Sequence, residues 1–253
     1  MTDTRRDGAF QLHDIAAGFG LLTRLPVPVD HARAGARGAE AGWAWPLVGA
    51  TVALLAGLPS LALAALGMPM PVCAGIAITL SILATGALHE DGLADCADGL
   101  GSGAPRDRAL EIMKDSRVGA FGAVALVLAI GLRWQALASL DGWTFLAVLV
   151  GGAAASRAAM LVAMRALPPA RDGLSAASGR PPLRTTLIAC AIALLLTLPG
   201  GWLVLALLPG AALATLMAAY ASRRLGGQTG DVLGAVQQGF EIGMLVAATA
   251  ILA

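Results

Sequence analysis

The chain has 253 residues, of which 57% are hydrophobic and 13% charged. Soluble domains carry about 25% charged residues, so a water-soluble domain is excluded for most of this chain, and its mean hydropathy of +0.76 places the bulk of it in lipid. The net charge of +1 gives no broad basic field to attract nucleic acid.

The first 42 residues mix charges with short apolar stretches, so no signal peptide is expected there. Leu22–Pro28 ends a weakly amphipathic segment, expected to lie on the membrane surface rather than to span it. Apolar helices are then expected near Trp43–Leu66, Met70–Leu88, Gly119–Leu140, Trp143–Met164, Thr186–Leu198, Trp202–Tyr220 and Val232–Ala253. A span needs about 20 residues. Thr186–Leu198 is shorter, and reads either as a broken helix or as one that extends into the preceding loop. No fixed-period repeat and no second domain interrupts this order. The expected fold is all-α: one polytopic membrane helix bundle over 1–253, with about six to seven transmembrane helices.

The basic residues test that map. Arg5, Arg6, Arg24, Arg33 and Arg37 precede the first span. Arg106, Arg108, Lys114 and Arg117 share one long loop, and Arg165, Arg171, Arg180 and Arg184 the next. Arg223 and Arg224 precede the last span, and only Arg133 and Arg157 of the 17 fall inside spans. The short connections near Gly67, Asp141 and Gly200 hold none. Because basic loops stay inside, the N-terminus and every long loop are expected in the cytoplasm, with the C-terminus outside. Cys73, Cys96 and Cys190 form no CxxC pair and read as packing thiols.

Four features carry chemistry. Leu88–Gly103, LHEDGLADCADGLGSG, holds Asp91, Asp95 and Asp98 at steps of four and three. On a helix these steps return to nearly the same angle, so three carboxylates line one face. Such a face suits a hard cation such as Mg²⁺, which bridges carboxylates to substrate phosphates. His89 reads as a hydrogen-bonded boundary residue and Glu90 as an ordinary interfacial charge. Next comes Arg106–Gly122, RDRALEIMKDSRVGAFG, whose Arg106, Arg108, Lys114 and Arg117 are candidates to clamp phosphates beside the aspartates. Leu225–Gly234, LGGQTGDVLG, is a Gly-rich turn opening a helix, a pattern that binds anions. From Asp231 a polar stripe continues through Gly234, Gln238 and Glu241, and should face a cavity rather than lipid. Finally, Arg157 beside Ser156 lies inside a span. It reads either as part of a functional site or as one half of a structural ion pair. Arg133 has a similar status, with the alternative of reaching toward the membrane surface.

These blocks resemble the cobalamin synthase family, the adenosylcobinamide-GDP ribazoletransferases. The resemblance rests on TRLPVP at Thr23–Pro28, WPLVG at Trp45–Gly49, HEDGLADCADG at His89–Gly99 and RDRALEIMKDSRVGAFG at Arg106–Gly122. Ser156–Arg157 and GGQTGDVLGA at Gly226–Ala235 complete it. The blocks keep the family's order across nearly the whole chain. One departure is Gln238, where the family often has an acid, and Pro168–Pro182 matches none of its motifs. The resemblance implies transfer of a cobinamide phosphate from adenosylcobinamide-GDP to α-ribazole, or its 5′-phosphate, with loss of GMP. It implies Mg²⁺ on Asp91, Asp95 and Asp98, and substrate binding by Arg106, Arg108, Lys114, Arg117, Arg157, Gln228 and Thr229. Asp115 or Asp231 would accept the hydroxyl proton. The expected setting is a bacterial inner membrane, with lipid and these small molecules as partners, no nucleic acid, and self-association left open. Two other readings are weaker. A CDP-alcohol phosphotransferase would carry Ala-Arg three residues after Asp98–Gly99, where this chain has Ser102–Gly103. An ion-coupled transporter would show inverted repeats, and none is evident.

Overall fold

A computed structural model describes residues 10–252, which are helical with no β-strand. The helices are α1 (Leu12–Leu22), α2 (His31–Arg37), α3 (Trp45–Ala65), α4 (Met70–Thr85), α5 (Leu88–Gly101) and α6 (Arg106–Ile112). They continue with α7 (Ala120–Ala138), α8 (Gly142–Ala166), α9 (Leu174–Ala177), α10 (Leu183–Thr197), α11 (Leu207–Leu225) and α12 (Gly230–Leu252). Tighter 3₁₀ segments, Gly38–Ala44 and Leu198–Ala206, lead into α3 and α11. Arg5 and Arg6 of the basic count lie outside the described residues.

Five helical stretches are long and apolar enough to cross a membrane, or six if the bent pair α4 and α5 is counted as one span. One of the five, Leu183–Leu225, has 43 residues and folds back on itself. Its start lies at the end of α8, where Arg165 donates to the Pro181 carbonyl at 2.7 Å. Its middle lies at the beginning of α8, where the Trp143 indole donates to the Pro199 carbonyl at 3.2 Å. Gly201, at φ 60°, supplies the bend. The stretch read from sequence as a short or broken helix is therefore one arm of a hairpin. Its other arm, α11, returns until Arg106 reaches the Leu225 carbonyl. The long basic segments gather at this end of the bundle, and the short turns without basic residues at the other.

The helix expected over Met70–Leu88 stops at Thr85. Gly86 and Ala87 both adopt left-handed backbone, at φ 63° and φ 58°, and α5 leaves at 88° to α4. The acidic motif thus runs across the end of the bundle instead of along its axis.

Small residues set the packing distances. α8 is the central helix, buried along most of its length. A Cβ on Gly49 of α3 would lie 2.3 Å from the Ala153 carbonyl of α8. One on Gly210 of α11 would lie 2.9 Å from the Phe240 carbonyl of α12. Membrane helices lack a hydrophobic drive toward one another, so such close backbone contact is what holds them.

A charged cluster sits inside this packing. Glu90, Arg133, Arg157 and Glu241 are each 4–7% exposed. Arg157 pairs with Glu241 at 2.5 Å, and Arg133 with Glu90 at 2.9 Å and Glu241 at 3.3 Å. Gln238 donates to Glu90 at 3.0 Å and accepts from Arg133 at 2.9 Å. Ser156 donates to Glu241 and accepts from Gln237. Glu90 is therefore no interfacial charge, and Arg133 does not reach for the surface. Side chains one step apart on a helix diverge by about 100°, so Glu90 faces inward while Asp91 is exposed. Gln238 and Glu241 of the α12 polar stripe face this cluster, away from lipid.

Removing one partner from a buried ion pair costs roughly 3–5 kcal/mol. Glu241→Leu should accordingly lower the thermal unfolding temperature of the detergent-solubilised protein sharply. Adding Arg157→Met should recover much of the loss, because Arg133 and Glu90 still balance. Equal losses in the single and double variants would show that these charges do not depend on one another.

Candidate active site

The acidic helix α5 is held by contacts between the sequence blocks. Gly92 lies against the first turn of α12, where a Cβ would meet the Asp231 carbonyl at 2.8 Å. Gly234, one turn along, approaches the His89 backbone as closely as ordinary packing permits. Gly99 faces Ala109 and Met113 of the Arg106–Gly122 block. The motif glycines are thus crossing points, and they bring Asp91, Asp95 and Asp231 onto one face of the molecule.

Asp98 has a different position from its two partners. Its carboxylate accepts from the Gly119 N–H at 2.7 Å and the Gly122 N–H at 2.9 Å. It caps the N-terminus of α7 from a distance, where a negative charge meets unpaired amides and the positive helix end. A Cβ on Gly119 or Gly122 would come within 2.4 Å of a carboxylate oxygen, which accounts for the VGAFG ending of the second block.

Asp95 is half-buried. Burial first, and then the Asp91, Asp231 and Asp98 carboxylates, push its carboxyl up to about 7, with Arg171 opposing. Asp231 accepts from Arg171 at 2.6 Å and from the Thr229 hydroxyl at 3.1 Å. Arg171 also donates to the Leu110 carbonyl at 3.0 Å. Its loop is tied in by a two-bond bridge: Gln228 N–H to the Pro168 carbonyl, and Ala170 N–H to the Gln228 carbonyl, both at 2.8 Å. Arg171 stands in the Pro168–Pro182 loop, which no sequence motif singled out. Nothing in its local pattern marks it, since its role exists only once the loop meets α12.

The basic candidates separate by their surroundings. Arg106 donates to the Leu225 and Ala170 carbonyls at 2.8 and 2.6 Å, and so joins three segments of this face. Arg108 pairs with Glu111 at 2.6 Å, exposed. Arg117 grips Asp115, and these hydrogen bonds hold the Asp115 carboxyl down at about 2. A carboxylate held that low is a weak proton acceptor at neutral pH. Lys114 is exposed, with no ion pair among the described residues. Arg157 lies in the buried cluster, in the ion pair that the sequence left as one of two readings. Gln228 is buried with Oε1 unpartnered, and Thr229 caps α12 through the Val232 N–H. His89, expected to be hydrogen-bonded, is buried with Nε2 unpartnered.

Among the described residues, no three His, Cys, Asp or Glu side chains converge to hold a metal unaided. The carboxylates present still fit Mg²⁺, which keeps several waters and takes one or two carboxylates together with substrate phosphates. The Asp95 carboxyl is raised by burial first and then by the neighbouring carboxylates, and a cation would relieve the second of these.

The family model described as cobalamin-5-phosphate synthase matches residues 14–249. A relative from Bradyrhizobium diazoefficiens, named adenosylcobinamide-GDP ribazoletransferase, is 44% identical over 98% of this chain and 96% of its own. Relatives of the same name from Mesorhizobium japonicum and Allorhizobium ampelinum are 42% and 45% identical. They cover 94% and 90% of this chain, and 93% of their own in both cases. No solved structure matches. The match across nearly the full length, on the blocks that build the acidic face, shows that this chain belongs to the cobalamin-5-phosphate synthase family.

Proposed function

We propose that this chain joins adenosylcobinamide-GDP to α-ribazole, or its 5′-phosphate, with release of GMP. The observation that carries the reading is the crossing of α5 and α12, which sets Asp91, Asp95 and Asp231 on one face beside Arg171. A ribose hydroxyl oxygen of the acceptor attacks the phosphorus next to cobinamide. A new O–P bond forms, the P–O bond to GMP breaks, and the hydroxyl proton passes to a carboxylate. Such transfer is mostly positioning and charge stabilisation.

Asp91 and Asp95 would hold Mg²⁺, with Asp98 bracing the helix that carries them. The metal, when bound, supplies positive charge to the diphosphate and the leaving GMP. Asp231 is the better proton acceptor of the two candidates, because it stands with Asp91 and Asp95 on the acidic face, whereas the Arg117 hydrogen bonds hold the Asp115 carboxyl down at about 2. Arg171 orients the Asp231 carboxylate. Arg106 holds this face together through backbone carbonyls, and Lys114 is free to meet phosphate. The site faces the cytoplasm of a bacterial inner membrane, since the basic segments gather at its end of the bundle.

Purified protein should release GMP from GDP-cobinamide only when α-ribazole or its phosphate is present, and only with Mg²⁺. Asp91→Asn, Asp95→Asn and Asp231→Asn should each lower kcat about 100-fold or more, with little change in thermal unfolding. Asp98→Ala should instead destabilise by roughly 1 kcal/mol, the scale of a lost helix cap. Wild-type activity in two of the first three would sink the assignment.

The Asp95 carboxyl also sets a pH dependence. At about 7 it is protonated in acid and ionised in base, and only the ionised form binds a cation well. Apparent Mg²⁺ affinity should therefore fall as pH drops from 8 to 6, with proton release on binding. Calorimetry in buffers of different ionisation enthalpy reads that proton directly. Asp95→Asn should abolish it.

A further inference from the structure

The TRLPVP segment plays no part in the site so far, yet it is fixed beside it. The Thr23 hydroxyl donates to the Phe19 carbonyl at 2.7 Å and accepts from the Leu25 N–H at 3.2 Å. The Arg24 N–H donates to the Ala84 carbonyl at 2.7 Å, in the last turn of α4. The segment is therefore pinned to the corner where α4 turns into α5.

That corner is shaped around Arg24. Gly86 presents its bare face to the arginine, and a Cβ there would lie 2.5 Å from Nε and 2.7 Å from Cγ. Ala87, next in line, has the only positive φ of any non-glycine residue among those described. Left-handed backbone at a residue that carries a Cβ is strained, and it persists where the surroundings impose it. A cleft of about 360 Å³ opens at this corner, lined by Thr23, Arg24, Thr85, Gly86 and Asp91 among others. Its size falls in the range of small-molecule sites.

Arg24 and Asp91 both line this cleft, yet they form no ion pair. Among the described residues the Arg24 guanidinium has no carboxylate partner at all. The other arginines near the site are engaged: Arg106 with carbonyls, Arg108, Arg117 and Arg171 with carboxylates. A cation and an anion facing one cavity without touching suit a ligand that answers both. A diphosphate does so, with oxygens for the guanidinium and oxygens to share a cation with Asp91.

We propose that Arg24 binds a phosphate of the nucleoside-diphosphate donor, in the cleft it shares with Asp91. This rests on the function proposed above and adds to it the seat of the donor. The Gly86–Ala87 corner is then a positioning device that lays the guanidinium across the entrance to the acidic face.

The test uses the full-length protein in detergent. Binding of inorganic pyrophosphate is measured by calorimetry in EDTA and again in Mg²⁺, alongside GMP release and thermal unfolding. Arg24→Gln keeps the side-chain stem and loses the charge, while Gly86→Ala leaves Arg24 present but obstructs it. Both should weaken pyrophosphate binding at least tenfold in either medium. Both should raise KM for GDP-cobinamide without moving KM for α-ribazole, and Arg24→Lys should recover part of the loss. Unchanged pyrophosphate affinity in a folded Arg24→Gln protein overturns the proposal, as does a rise confined to the KM for α-ribazole. If Gly86→Ala does not fold, the glutamine and lysine variants decide alone. Wild-type protein that binds pyrophosphate through Arg24 but releases no GMP would refute the transferase reading while leaving the cleft.

Discussion

Two arginines and two glutamates lie at the centre of the bundle, and the other helices are arranged by their need to stay together. Glu90 comes from α5, Arg133 from α7, Arg157 from α8 and Glu241 from α12. A single charge at this depth is costly, but two of each sign joined in a chain of ion pairs, with Gln238 and Ser156 bonded to it, balance. Four helices thereby acquire a fixed rotation about their axes, since each must present one residue to the same point. That rotation has a direct effect on the surface. With Glu90 turned inward, Asp91 is turned out, and with Glu241 turned inward, Asp231 near the start of the same helix meets α5.

Bare backbone supplies the second constraint. Gly92, Gly99, Gly119 and Gly122 stand where a methyl group would collide with another block. These contacts let α5 lie across the bundle end closely enough for its carboxylates to share a field. Part of that field is structural, because Asp98 anchors α7. The rest accumulates at Asp95, whose carboxyl is held near neutrality. The same few ångströms of approach therefore serve stability at one aspartate and raise the carboxyl of the next.

Much of the site was visible in the residues. Steps of four and three put three aspartates on one helical face, and the glycine-rich turn before Asp231 announced a helix start. Their common face was not visible, because α5 and α12 are more than a hundred residues apart in sequence. Asp98 had the same spacing as its partners, yet its amide partners lie 21 and 24 residues away. Asp115 and Asp231 were equal candidates until Arg117 and Arg171 were placed beside them. Glu90 looked like a boundary charge because the register of α5 against α12 decides which of two adjacent acids is buried.

By itself, the sequence determined what depends on composition and local period. That covers the membrane setting, the helical class, the alternation of long basic loops with short ones that hold no basic residue, the acidic face and the family. Tertiary structure alone decided which charges neutralise one another, which aspartate braces a helix and where Arg24 and Arg171 stand. The reason is physical. Partition into lipid and helix formation depend on neighbours a few residues away, and these can be read along a line. Pairing, burial and the shift of a carboxyl depend on distances across the bundle, and those exist only after the helices have packed.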